Sequence, residues 1–260
     1  MKRVSMLIVL AALGGWMEVG GIFNRASAED FRIDNAVFVG DQKTPSSEST
    51  TIFHNGIVYD CMKTPAETVV FEKLASKFIL LNLKHRTRAE LTTGEVTAFI
   101  EQLQHDGVSK NPDPLVKFLS SPRFEERFDE AAGELTLSSP LVSYRLRLLP
   151  ESDQATVEQY HEFSDGYVQL NAMLAPGSRP PFGRLVLNAA LAKRQAMASQ
   201  VELTFTQGKA SNRQQVTIRS THSVVRPLVS ADLELVAKTR ESLGSFKLVS
   251  FEQYRKIEQR

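Results

Sequence analysis

Thr51-Ile52-Phe53-His54-Asn55-Gly56-Ile57-Val58-Tyr59-Asp60-Cys61-Met62 holds two β-forming runs on either side of Asn55-Gly56. That dipeptide favours a type I′ turn, because both of its residues tolerate positive φ, and such a turn matches the twist of two antiparallel strands. The stretch therefore predicts a β-hairpin. Two further runs follow it, Glu67–Glu72 and Lys77–Asn82, joined through Leu74-Ala75-Ser76, and a third candidate strand lies at Thr87–Leu91. Short β-rich runs at this spacing predict an antiparallel meander.

Outward from the meander the period changes. Thr92-Thr93-Gly94-Glu95 has the spacing of a capping box, and Val96, Phe99, Ile100 and Leu103 then recur at helical intervals, with Gly107 as the expected stop. Pro112, Pro114 and Pro122 make 109–122 an irregular crossing with at most a short helix near Leu115–Leu119. Strands are expected at Phe124–Phe128, Glu134–Leu137 and Leu141–Leu149. In the last of these Val142, Tyr144, Leu146 and Leu148 alternate with Ser143, Arg145 and Arg147, the pattern of one buried and one wet face.

A helix is expected from about Asp153 to Leu174, and a second from Phe182 to about Ala198, opened by Pro180-Pro181. Another hairpin pairs Val201–Thr206 with Gln215–Ser220. Ser230 is the expected cap of a helix ending at Gly244, and the last fifteen residues read as either a strand or a short helix. The expected class is α+β, a curved antiparallel sheet with helices packed on one face. Residues 29–260 form a single domain in this reading.

Residues 1–28 read as a signal peptide: Lys2 and Arg3, the apolar run Met6–Leu13, then Ala26-Ser27-Ala28 ahead of Glu29 and Asp30. A transmembrane anchor is the competing reading. Glu18 and two Gly-Gly pairs oppose it, and the apolar run is far shorter than the roughly 20 residues of a span. The expected location is outside the cytoplasm, periplasmic or extracellular, with no membrane-integral part after cleavage. Removing 1–28 takes away Lys2, Arg3, Arg25 and Glu18 and moves the formal net charge from +1 to about −1. That balance offers no electrostatic case for nucleic acid or an anionic membrane surface. Cys61 is the only cysteine, so no internal disulfide forms and stability must come from packing.

No nucleophile elbow, zinc-hydrolase helix motif, Walker loop or dinucleotide fingerprint occurs, so no catalytic, cofactor-binding or metal-ligating residue is assigned and no cofactor is expected. The sharpest local cluster is Glu158, His161 and Asp165, which share one face of the predicted helix. A second matching set is missing, and beside Glu162 the cluster reads as a solvated surface opposite the apolar stripe. Cys61 reads as a small hydrophobe on a strand. His54 sits at a hairpin end, and the basic stretch Lys84–Arg88 reads as a solvated turn whose charge discourages edge pairing. His105 and His222 have no partner at catalytic spacing. Arg179–Arg184 looks like a polyproline recognition stretch but precedes an apolar helical pattern, which favours a helix start.

Ile52–Asp60, Glu67–Phe71, Phe78–Leu83, Arg88–Thr93 and Pro180–Leu185 with Leu187-Asn188 and Ala190-Leu191 resemble blocks of uncharacterised exported bacterial proteins, a group that implies location and little else. More distantly, the order of strand, turn, strand and lone amphipathic helix resembles the lipoprotein-carrier family of periplasmic half-barrels. That resemblance implies a curved sheet wrapped round helices with an apolar cavity for acyl chains. The functional expectation is a non-catalytic exported protein that binds an apolar ligand, a lipid or acyl chain, or a cell-envelope partner. The alternatives are a hydrolase assembling Cys61 with His54 or His161, and a structural or adaptor module acting through an exposed apolar patch.

Overall fold

The computed structural model describes residues 30–110, 114–149, 153–175, 179–207 and 214–258; the proposed signal peptide lies outside them. Twelve strands form one curved, unclosed sheet among these residues. The first arm is a meander: β1 (Phe31–Val39), β2 (Ser47–His54), β3 (Ile57–Met62), β4 (Glu67–Glu72), β5 (Lys77–Asn82) and β6 (Thr87–Thr92). The chain then forms α1 (Thr93–Ser109) and α2 (Pro114–Ser120). It returns through β7 (Glu125–Asp129), β8 (Glu134–Ser138), β9 (Val142–Leu148), α3 (Gln154–Leu174), α4 (Phe182–Ala192), β10 (Ala198–Gln207) and β11 (Gln214–Val225). β11 pairs with β1, so the two arms meet at the sheet's centre. The end of the described chain is α5 (Ser230–Ser245), β12 (Lys247–Leu248) and α6 (Phe251–Glu258).

The quoted hairpin forms as its turn chemistry requires: His54 pairs with Ile57, Asn55 has φ 52° and Gly56 φ 73°. β3 to β6 then pair in unbroken register. That register sends Phe53, Val58, Val69, Phe71, Phe78 and Leu80 to the inner face, where Val157, Tyr160, Phe163 and Leu170 of α3 cover them. It sends Ile52, Tyr59, Cys61, Val70, Ile79 and Leu81 to the outer face. The expected α+β class with a curved sheet is what forms, but helices cover both faces rather than one, because α5 packs on the outer face through Val236. Arg32 clamps it there, with Nη1 at 2.9 and 3.0 Å from the two oxygens of Asp232, and Arg240 Nε donates to the Tyr59 hydroxyl at 2.9 Å. Between α5 and α6 the chain crosses the sheet edge. There β12 pairs parallel with β6 at Thr87 and Arg88, while Lys84, His85 and Arg86 stay exposed in the turn before it, and α6 returns Tyr254 to the inner core.

The second arm has a different cover. Leu135, Leu137, Val142, Tyr144, Leu146 and Val201 face inward against Leu187, Ala190 and Leu191 of α4, while Arg145 and Arg147 stand exposed on the outer face.

Several boundaries differ from expectation. The helix expected to reach Ala198 stops at Ala192. Gln195 turns the chain at φ 50°, Leu149 N donates to Met197 O at 2.9 Å, and Ala198 pairs with Leu148. Ala196, Met197 and Ala198 suit a helix locally, but pairing with β9 and burial override that preference. Thr92 and Glu95 make the expected capping box, yet α1 runs past Gly107. Gly107 is needed for a close approach instead: a Cβ there would lie 1.9 Å from Ser120 Oγ. Ser230 does not cap α5 with its side chain. Asp232 Oδ2 accepts from Val229 N at 2.9 Å, serving the helix start from within its first turn. α5 likewise passes Gly244, and the final segment contains both a short strand and a helix.

Candidate functional site

α3 and α4 are bound to each other by polar contacts on the sheet's inner side. Asn188, 1% exposed, donates from Nδ2 to Ser164 Oγ (3.0 Å) and Asp165 Oδ1 (2.7 Å), and its Oδ1 accepts from Arg184 Nε at 3.0 Å. His161 Nε2 lies 3.0 Å from Ala196 O, tying α3 to the turn before β10. The face is divided: Glu158 and Glu162 are exposed as expected of a solvated surface and Asp165 is half-buried, whereas His161 is 8% exposed, and burial pushes its pKa below the usual histidine value. Among the described residues no group of three or more His, Cys, Asp or Glu side chains gathers as a metal site.

Two adjoining cavities open beneath this cover. The first, about 230 Å³, is bounded by Phe118, Phe124, Tyr144 and Leu203 with Arg179 and Arg184 at the start of α4. The second, about 250 Å³, lies over the junction of the two arms against Ile33, Phe53, Phe163, Tyr167 and His222. Both touch Val168 and Arg184. Taken together they fall within the roughly 300–1,000 Å³ typical of small-molecule sites, and their walls are mainly apolar and aromatic, as such sites are.

One polar line crosses the floor of the second cavity. Asn35 Nδ2 donates to Thr51 Oγ1 (2.9 Å) and Ser49 Oγ (3.2 Å), which leaves its Oδ1 to accept from His222 Nδ1 at 2.8 Å. His222 Nε2 then accepts from Ser220 Oγ at 3.0 Å, and Thr51 Oγ1 donates onward to Asp60 Oδ1 at 2.6 Å. The chain runs in one direction, from Ser220 through His222, Asn35 and Thr51 to Asp60, with the imidazole neutral and protonated on Nδ1. Burial pushes the His222 pKa down to about 3, and the positive charge of Arg184 acts in the same direction. Burial raises the Asp60 carboxyl above its ordinary value, and the hydrogen bond from Thr51 opposes this. Tyr167 is pushed well above the ordinary phenol range by burial and then by the Asp60 charge.

Sequence spacing does not reveal this line, because its members come from β1, β2, β3 and β11. Its only trace is polar residues at inward positions of otherwise apolar strands.

Cys61 faces the outer core, and burial pushes its thiol up to about 11. His161 is on the opposite side of the sheet, so the two cannot share a site. His54 lies four residues along β2 from Thr50, the partner of Cys61, a separation of about 14 Å at 3.4 Å per residue. It is engaged elsewhere: Nδ1 is 2.6 Å from Asp30 Oδ2, and Asp30 Oδ1 also accepts from Asn55 N at 3.0 Å. His85 belongs to a turn closed by Asn82 Oδ1. No family model and no curated protein sequence matches this chain.

Proposed function

We propose that this protein is a non-catalytic exported carrier that holds an apolar ligand, a lipid or acyl chain, between α3–α4 and the inner face of the sheet. The observation that carries the reading is the pair of adjoining cavities with mainly apolar walls, placed where the helical cover meets the sheet. An apolar ligand entering such a space loses its water contact at roughly 25 cal/mol per Å² of apolar surface, without requiring any reactive group from the protein. Export rests on the pattern of residues 2–28. No helix among the described residues is long and apolar enough to cross a membrane.

The test is native mass spectrometry of the protein purified from its own source, followed by extraction and identification of whatever leaves on denaturation. A stoichiometric apolar molecule is the expected result. A protein that arrives bare and takes up no added long-chain compound would overturn the carrier reading.

A further inference from the structure

The first cavity carries a chemical bias that its apolar walls do not explain. Arg179 and Arg184 both line it, and neither has a carboxylate partner among the described residues. Arg179 lies 3.8 Å above the Phe205 ring, which holds the guanidinium without neutralising it. Arg184 donates from Nε to Asn188 and lines both cavities, and its terminal nitrogens make no hydrogen bond among the described residues; Asp165 is linked to it through Asn188. Tyr144 is 7% exposed and lines the same cavity, and its hydroxyl has no hydrogen-bond partner among the described residues. Gly183 opens the space for it: a Cβ there would sit 3.0 Å from the Tyr144 oxygen. The start of α4 faces this point with no acidic residue in its first turn and no side-chain cap. Among the described residues no Asp or Glu lines either cavity.

Donors and positive charge thus converge at one end of an apolar space that no carboxylate of the described residues lines. We propose that Arg179, Arg184 and Tyr144 bind the anionic head, carboxylate or phosphate, of a single-chain amphiphile whose tail lies along the apolar walls. The assignment rests on the carrier reading above and names the class of its ligand. Guanidinium groups suit it because their fork of N–H donors matches either anion in bidentate geometry. One chain rather than two is implied by cavities of about 230 and 250 Å³.

The test compares dodecanoate and dodecyl phosphate, each below its micelle concentration, with dodecan-1-ol below its solubility limit, by calorimetry on the protein with residues 29–260 intact, with inorganic phosphate as the free anion. We expect at least one anionic dodecyl compound to bind about tenfold or more tightly than the alcohol, the scale of one hydrogen bond to a charged group. In the Arg179→Gln/Arg184→Gln variant that preference disappears while alcohol binding persists, which also reports that the cavity is intact. Arg179→Gln alone removes no hydrogen bond from the fold and should reduce the preference several-fold. Equal binding of acid, phosphate and alcohol, or an unchanged preference in Arg179→Gln, would overturn the head-group assignment and leave the carrier reading standing. Inorganic phosphate binding as tightly as dodecyl phosphate would overturn the amphiphile. Failure of all three dodecyl compounds to bind would overturn both.

Discussion

The two arms of the sheet solve the same burial problem in different ways. In β3–β5, Val70, Ile79 and Leu81 are buried on the outer face as completely as Val69, Phe78 and Leu80 are on the inner one, because α5 covers one side and α3 the other. In β9 only the inward residues Val142, Tyr144 and Leu146 are buried, and Arg145 and Arg147 meet water. A strand covered on both sides has no room for alternation, so its sequence becomes a continuous apolar run; a strand covered once must alternate. The cavities belong to the second arm and to the junction, where the inner cover passes from α3 to α4. Where the packing is doubled, α3 sits close on β5: a Cβ at Gly166 would come within 2.7 Å of Phe78.

The comparison is broken most directly on the outer face. Ile79→Ala removes a side chain that is 3% exposed beneath α5 and should cost about 2–5 kcal/mol in chemical denaturation, whereas Arg147→Ala, on the same face of the other arm, should stay within about 0.5 kcal/mol. Equal costs would mean that α5 does not seal the first arm. A second substitution sharpens the contrast on the inner face: Gly166→Ala forces α3 against Phe78 and should cost about 1–3 kcal/mol. An unchanged denaturation midpoint would show that the α3 contact is loose.

The junction is probed by Thr51→Val, which leaves Asn35 Nδ2 without that acceptor and Asp60 Oδ1 without its donor. The expected cost is about 1–3 kcal/mol, comparable to other breaks in a buried polar network.

The two titratable members of the polar line should respond to pH with opposite sign. The folded state holds His222 neutral, with a pKa near 3 against the usual 6.5, so the unfolded chain binds the extra proton and stability falls as pH drops through that window. His222→Gln should flatten this acid limb. Asp60 has a raised folded pKa, so its contribution is fully present below about 3.8 and is lost as pH rises through the raised value. The stability of Asp60→Asn relative to the parent should therefore climb with pH above about 4. Urea titrations at several pH values read both effects; parallel pH profiles for parent and variant would deny the residue concerned its shifted titration.

Local chemistry is legible wherever a short segment settles its own conformation. Asn55-Gly56 made its turn, Thr92 and Glu95 their capping box, and Val142–Leu148 its one-sided strand. Asp153, at the expected start of the long helix, accepts from Thr156 N at 3.0 Å. Legibility failed where a distant partner decided the outcome. Ala196–Ala198 reads as the end of a helix until β9 pairs with it, and His161 reads as exposed until the turn before β10 closes over it. His222 has no partner along the chain, because Asn35 reaches it only once β11 pairs with β1.

By itself the sequence determined the strands from β2 to β6 and the helix after them, the turn at Asn55-Gly56, the caps at Thr92 and Asp153, and the alternation of β9, since these follow from backbone torsions and from periods of two and 3.6 residues. Only the tertiary structure decided that α5 lies on the outer face, that the two arms join through β1 and β11, and that Arg179, Arg184 and Tyr144 converge on one cavity. Those outcomes depend on contacts between residues far apart along the chain. Such contacts form when apolar faces leave water together, a driving force that is non-directional and carries no local signature.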